Sequence, residues 1–504
     1  MTLHTKHPLL PPLAAILSGV LLGLCYPGAD QSQLLWFWQF PLFFALWFWE
    51  PQSGEWPRRF PRWLWGGLIG WLSGFVFFLV SIVWMRHVTW PGYIVLSLYL
   101  GLYFGVWGSF ASSLGRLSTA VIRPQDWKEK DQSAETVISS RLQVLLQEAR
   151  KPNLLAPSYH TLWIAFLNAS LWVTLEWLRG LVFTGFPWNS LGVALHGSTH
   201  LRQAADLVGV SGLAFLPVFF SAVMVSTIAR FALEFGKGRL RPHLDFSVAL
   251  VLLILTFFYG VHTVQNHRVE DPITLRALLV QGNISIEQRY DLDPDNPQSE
   301  IWEIYDNLTN LYADQNYDLI VWPETCIPAT FFEADTFRYL NSILARGDFY
   351  LLTGIEQVIL QQDEDAEVYN SMVLMRKEAY SYQDYQKIHR VPFGEYIPFR
   401  HSFPIFAWAL GNLIPEDFDP GLSRERLALT EPSLQIIPSI CFEDSLGRLP
   451  RRFLQDGPQG AQLIVNLTND AWFQQSHANA QHLAHAKFRC IELKRPMLRC
   501  ANTG

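Results

Sequence analysis

Charge is what this sequence has least of. Only 16% of its 504 residues are Asp, Glu, Lys or Arg, whereas half are hydrophobic, with 20 Trp and 35 Phe among them. Average soluble domains carry roughly a quarter charged residues, so this is the composition of a membrane protein. The net charge is −7, yet no basic stripe suggests nucleic acid as a partner. Cysteine is scarce too. Cys25, Cys326, Cys441, Cys490 and Cys500 are odd in number and form no Cys-x-x-Cys pair. Neither a disulfide framework nor a zinc site is suggested, and at least one thiol stays unpaired within a monomer. No metal or cofactor is expected. A small-residue cleavage site is missing after the first apolar run, and further runs follow directly, so that run reads as a retained helix and not as a signal peptide.

What the first half does contain is apolar stretches long enough for a bilayer, which takes roughly 20 residues. They lie near 9–27, 33–49, 63–85, 93–115, 161–183, 210–233 and 246–264, which predicts a membrane domain of about seven helices over residues 1–270. Lys and Arg gather in alternate loops. Arg58, Arg59 and Arg62 follow the second span; Arg116, Arg123, Lys128, Lys130, Arg141, Arg150 and Lys151 follow the fourth; Arg230, Lys237, Arg239 and Arg241 follow the sixth. The other loops offer only Arg86 and Arg202. Basic loops stay in the cytoplasm, so the N-terminus is predicted inside and everything after the seventh span outside. The stretch 118–160, charged and rich in Gln and Ser, reads as a solvated, partly helical cytoplasmic insertion. Glu176 and Arg179 end the fifth span three residues apart on one helical face, where they can pair or serve a function. Thr184 to Asn189 follows on the outer side.

From about Ile273 the pattern changes. Short β-rich runs (Leu275 to Val280, Leu319 to Trp322, Tyr350 to Gly354, Ser371 to Met375, Leu434 to Ile440, Leu463 to Leu467) alternate with helical stretches such as Glu300 to Tyr312 and Ala478 to Lys494. This alternation predicts an α/β domain over 271–504 with helices layered over sheets. Three strand ends carry polar groups: Glu324 after Val321-Trp322-Pro323, Lys387 after Tyr385-Gln386, and Cys441 after Ser439-Ile440. Each alone has a bland explanation, as a turn carboxylate, a solvated lysine and a buried core thiol. Together they have what covalent acyl transfer needs. A carboxylate can take the thiol proton, and a fixed ammonium with a backbone amide can stabilise the oxyanion of the tetrahedral intermediate.

Trp322-Pro323-Glu324, the run Lys387-x-His389-x-Val391-Pro392-Phe393-Gly394-Glu395, and Ile440-Cys441-Phe442-Glu443 resemble the Glu, Lys and Cys motifs of the nitrilase (carbon–nitrogen hydrolase) superfamily. Preceded by a polytopic half, they resemble the apolipoprotein N-acyltransferase family within it. Gly185-Phe186-Pro187-Trp188, Val280-Gln281-Gly282-Asn283, Tyr369-Asn370-Ser371, Asn469-Asp470-Ala471-Trp472-Phe473, Gln481-His482 and Glu492-x-x-Arg495-Pro496 match in order as well. The resemblance implies a nitrilase-like αββα sandwich on the periplasmic side of the cytoplasmic (inner) membrane. It also implies transfer of an acyl chain from a phospholipid to the N-terminal amine of an S-diacylglyceryl-cysteine lipoprotein. Glu324 would be the base, Lys387 the oxyanion stabiliser and Cys441 the nucleophile, carrying a thioester between two half-reactions. Glu395 would be a second acid near the Cys. Glu443 would be a supporting group behind it, and Phe442, Tyr290, Trp472 and Asn370 would position substrate. The Gly185 to Asn189 loop would belong to the access surface.

Some positions depart from the family pattern. Tyr290 stands near a usual Trp, Phe442 where Tyr is common, Gln474 where Gly follows Trp-Phe, and Ala480 where Pro precedes Gln-His. The family also continues past Asn502-Thr503-Gly504 with further strands and a final span, so the catalytic domain is expected to lack both. Two other readings stay open: a membrane-tethered amidase or nitrilase that gives its thioester to water, and an inactive fragment that binds lipid.

Overall fold

The computed structural model describes residues 7–49, 61–118, 121, 155–235, 242–266, 272–290, 299–312, 315–360, 366–377, 382–398, 400, 417–456 and 462–504. The insertion expected at 118–160 lies almost wholly outside them, as do Arg58, Arg59, Lys237, Arg239 and Arg241. The chain forms two compact units. The first comprises Met1–Val83, Tyr93–Arg179 and Ser211–His262, and the second Trp84–Gly92, Gly180–Val210 and Thr263–Gly504.

In the first unit five helices among the described residues are long and apolar enough to cross a membrane: Arg62–Ser81, Trp90–Ser112, Ala156–Arg179, Phe215–Phe235 and Leu244–Gln265. These match the third to seventh expected spans, and the first two apolar runs form shorter helices. Pro11 and Pro12 open a helix of only 14 residues, Leu10–Gly23. The run at 33–49 splits into a 3-10 turn, Ser32–Trp36, and a nine-residue helix, Phe40–Phe48, that restarts at Pro41. Proline has no backbone N–H to give a preceding turn and is tolerated only at such starts. The fifth span begins earlier than expected, at Ala156, inside the stretch read as insertion.

Glycines let two of these helices approach closely. A Cβ built on Gly70 would lie 2.4 Å from the Phe104 carbonyl oxygen and 3.0 Å from the Gly108 Cα, so only a bare backbone fits at this crossing. Trp38, Phe104 and Trp107 pack around Trp172, with ring centroids 5.4, 4.7 and 5.3 Å from it. Arg230, expected in a loop, instead lies buried in a helix with Nη1 2.9 Å from Asp245. Glu176 and Arg179 do approach, at 4.0 Å.

The second unit is built on two sheets. One has the order β1 (Ala277–Leu279), β2 (Leu319–Val321), β3 (Tyr350–Ile359), β4 (Glu367–Arg376), β5 (Gln383–Gln386). Its first three strands are parallel, and β4 and β5 each run antiparallel to the strand before. The other has the order β6 (Leu427–Leu429), β7 (Leu434–Ile440), β8 (Gln462–Thr468), β9 (Met497–Ala501), with β7, β8 and β9 parallel.

Strand alternation sends side chains to opposite faces. Leu319, Val321, Leu352, Met372 and Leu374 meet Ile436, Leu463 and Val465 between the sheets. Ile320, Leu351 and Val373 face outward onto Ile301 and Tyr305 of the helix Ser299–Asn310 and Leu340 and Ile343 of the helix Ala334–Leu344. Helices Arg448–Asp456 and Ala478–Leu493 belong with the second sheet. The result is the expected αββα layering, with Glu324, Lys387 and Cys441 each following a strand end.

Candidate active site

Parallel pairing brings the ends of several strands to one edge of the sandwich. Glu324 follows β2 on a turn that leans against Gly354 of β3, whose N–H donates to the Pro323 carbonyl at 3.2 Å. A Cβ at residue 354 would lie 2.5 Å from that oxygen and 2.6 Å from the Glu324 Cα, so the site needs glycine there. Lys387 follows β5, and its N–H donates to the Asn370 carbonyl of β4 at 2.9 Å.

These side chains converge. Lys387 Nζ donates to Glu395 Oε1 at 2.8 Å and to Glu324 Oε1 at 3.3 Å. Asn370 Nδ2 donates to the same two oxygens, at 2.9 and 2.8 Å. Glu324 Oε2 accepts from the Asn469 N–H at 2.8 Å, and Glu395 Oε2 from the Val391 N–H at 2.7 Å. Burial alone would lower the Lys387 ammonium, but the Glu395 and Glu324 carboxylates outweigh it and hold the group well above its ordinary range. The lysine is a fixed cation.

Cys441 opens a 3-10 turn, Cys441–Ser445, directly after β7. Its φ is +51°, a left-handed conformation that L-residues adopt only when surroundings impose it. Its carbonyl accepts from Asn466 Nδ2 at 3.2 Å and lies 3.3 Å from His482 Nε2. Burial pushes the thiol well up, Glu324 adds to the rise, and Lys387 pulls against it. At neutral pH the resting group is therefore a thiol, and attack requires a proton acceptor.

Glu443 ties two of the strand ends together. Its carboxylate accepts from the N–H groups of Ile388 and His389 at 2.9 Å, from that of Ile440 at 2.8 Å, and from the Tyr385 hydroxyl at 2.9 Å. Burial raises it to about 7 against the lowering influence of those amides and Lys387. The segment carrying Lys387 is thus bolted to the turn carrying Cys441.

Phe442 stacks between His389, at 6.1 Å, and Trp188, at 6.0 Å with the ring planes only 4° apart. Phe186 stacks on Phe442 as well, at 6.0 Å. Gln481 Oε1 accepts from Trp84 Nε1, Trp188 Nε1 and Asn189 Nδ2 at 3.1, 2.9 and 3.1 Å, anchoring the Phe186–Asn189 segment to the helix Ala478–Leu493.

Of the residues singled out in the sequence, Glu324, Lys387, Glu395 and Asn370 come together directly, and Glu443 and Phe442 flank Cys441. Glu395, expected near the Cys, meets Lys387. Trp472 sits on the turn Asp470–Phe473 and is 47% exposed. The side chain of Tyr290, which ends the helix Ile286–Tyr290, lies outside the described residues. Sequence reading assigned no part to Tyr385, Asn466, Asn469 or His482. Asn469 and His482 stood in matched motifs, but only their long-range contacts show what they touch.

A family model described as the apolipoprotein N-acyltransferase N-terminal domain matches residues 18–223, and the carbon-nitrogen hydrolase model matches residues 277–504. An apolipoprotein N-acyltransferase from Geobacter metallireducens is 31% identical over 496 residues, covering 98% of this chain and 84% of its own length. One from Methylococcus capsulatus is 35% identical over 335 residues, 66% of this chain and 61% of its own length. A solved carbon-nitrogen hydrolase from Helicobacter pylori G27 is 14% identical, with a TM-score of 0.30 over 46% of this chain and 74% of its own. With both family models matched in order, and a relative 31% identical along almost the whole of this chain, the chain belongs to the apolipoprotein N-acyltransferase family.

Proposed function

We propose that the protein takes an acyl chain from a membrane phospholipid and passes it, through a thioester on Cys441, to the N-terminal amine of S-diacylglyceryl-cysteine lipoproteins. The observation that carries the reading is the buried Lys387 ammonium, 2.8 Å from Glu395 and 3.3 Å from Glu324, bolted through Glu443 to the strained Cys441 turn. Glu324 takes the Cys441 proton as sulfur attacks the ester carbonyl. Lys387 stabilises the oxyanion, a fixed charge in a dry site being worth far more than one in water. As the tetrahedral intermediate collapses, the carbon–oxygen ester bond breaks and the lysophospholipid leaves with the proton returned by Glu324. The lipoprotein amine then attacks the thioester, Glu324 takes the amine proton and returns it to sulfur, and the amide is released. Glu395 and Asn370 hold Lys387 and Glu324 in register, and the Phe186, Trp188 and Phe442 rings offer the acyl chain an apolar wall.

In this reading residues 1–270 are the membrane domain and 271–504 the catalytic domain, in the cytoplasmic (inner) membrane, with the N-terminus inside and the active site on the periplasmic side. Both substrates lie at the outer leaflet, which supports that orientation, as do the basic loops.

The test is incubation of purified protein with phospholipid and a diacylglyceryl-cysteine peptide. A gain of one acyl chain on the peptide is expected, lost in Cys441→Ala and slowed roughly a hundred- to a thousandfold in Lys387→Met, on the scale of lost oxyanion stabilisation. Release of free fatty acid with unmodified peptide would instead make the protein a hydrolase. Absence of any acyl-enzyme by mass spectrometry would overturn the thioester.

A further inference from the structure

Behind Cys441 lies a second set of buried charges that the proposed reaction does not use. His482 Nδ1 is 2.9 Å from Asp470 Oδ1, and its Nε2 is 3.0 Å from Asp444 Oδ1 and 3.3 Å from the Cys441 carbonyl oxygen. Arg499 Nη2 lies 2.9 Å from Asp470 Oδ2, its Nε is 3.9 Å from Asp444, and Thr468 Oγ1 donates to Asp470 at 2.9 Å. His482, Asp444 and Asp470 are each at most 1% exposed.

With the Asp470 carboxylate against Nδ1 and the Cys441 carbonyl, which can only accept, against Nε2, the imidazole donates from both nitrogens, which only the cation can do. The cluster then holds two negative and two positive charges. Burial disfavours the charged ring, but Asp444 and Asp470 outweigh it and raise His482 to about 9. Burial likewise works against an ionised Asp470, and His482 and Arg499 hold it below the usual carboxylate range.

We infer that His482 is a positioning residue for the nucleophile: its cation clamps the Cys441 carbonyl together with Asn466, and it cancels carboxylate charge that would otherwise oppose the thiolate. A left-handed backbone persists only when its surroundings over-determine it, and two donors on one carbonyl supply that constraint. The charge argument is independent of the clamp. Asp470 raises the Cys441 thiol, as Glu324 does, and Lys387 lowers it. From the packed elements, Asp444 comes from the turn after β7, Asp470 from the end of β8 and Arg499 from β9. Trp188 lies over the His482 ring at 5.3 Å, and on the same helix His485 accepts from the Asn189 N–H while Arg489 pairs with Glu492 at 3.1 Å. The inference rests on Cys441 being the nucleophile.

Its test separates the two. Iodoacetamide alkylation of Cys441 is followed across pH 7–9 in the full chain by site-resolved mass spectrometry, beside the acyl-transfer assay. His482→Gln leaves the cluster one charge more negative and should slow alkylation at least tenfold at pH 8, equivalent to one pH unit in the thiol. Asp444→Asn makes it one charge more positive and should speed alkylation at least threefold. The double variant should return towards the parent. An unmoved rate in either folded single variant, or a double variant no nearer the parent than His482→Gln, overturns the inference. Should His482→Gln fail to fold, Asp444→Asn alone decides by the sign of its change. Shifted alkylation with unchanged acyl transfer would show that His482 tunes the Cys441 thiol but that this thiol is not the nucleophile, which overturns the positioning role together with the reading it rests on.

Discussion

Backbone strain marks the edge of the sandwich residue by residue. Asn283, Thr325, Phe393, Cys441 and Gln474 all hold φ between 39° and 59°, and such residues typically cost about 1–3 kcal/mol each. Gln474 combines φ 51° with ψ −157°, a region that favours glycine. Gln474→Gly should therefore stabilise the protein by about 1 kcal/mol, read as a higher midpoint of thermal unfolding by tryptophan fluorescence; a lower midpoint would mean that the glutamine side chain is needed. His482 gives a pH dependence of definite sign. Its folded value of about 9 exceeds the ordinary 6.5, so the folded state holds the proton more tightly. The stability it contributes is full below about pH 6.5 and is lost as pH rises through about 9. Between pH 7 and 9 the unfolding midpoint should fall in the parent and fall less in His482→Gln. Parallel curves would show that other groups control alkaline stability.

At the scale of elements, a single close approach sets the position of Glu324, the proposed general base. Gly354→Ala should push the Glu324 turn away from β3 and lower acyl-enzyme formation about a hundredfold, as a displacement near 1 Å does. An unchanged rate would show that the turn has slack. The strands nearest the site were the legible ones. β2, β7 and β8 are almost wholly buried, so they read as largely apolar runs, and Glu324 beyond β2 and Cys441 after β7 stood out. β5 did not. Gln383-Asp384-Tyr385-Gln386 is an edge strand that buries only Tyr385 fully, and nothing in its composition distinguishes it from a loop. β9 was hidden for another reason: Arg499 looks out of place in a strand until Asp470, 29 residues away, is seen to pair with it. The broken first spans were hidden because hydropathy counts apolar residues and is blind to where proline interrupts the hydrogen-bond ladder. The Glu, Lys and Cys motifs were visible, but their joining through Glu443 and Asn370 depends on distances that spacing along the chain does not contain.

On the scale of the whole molecule, this is a multi-pass membrane protein with a nitrilase-like catalytic layer. The proposed orientation predicts that a reporter enzyme fused after Asn266 will be active only outside the cytoplasm, and cytoplasmic activity would reverse the topology. The two compact units also interleave along the chain, since Trp84–Gly92 and Gly180–Val210 are built into the second. Those segments supply three donors to Gln481 and two rings stacked on Phe442. A gene cut at residue 270 would therefore divide one folding unit between two polypeptides. Residues 271–504 expressed alone should be inactive, and activity should return only when 1–270 is co-expressed and the pieces complement each other.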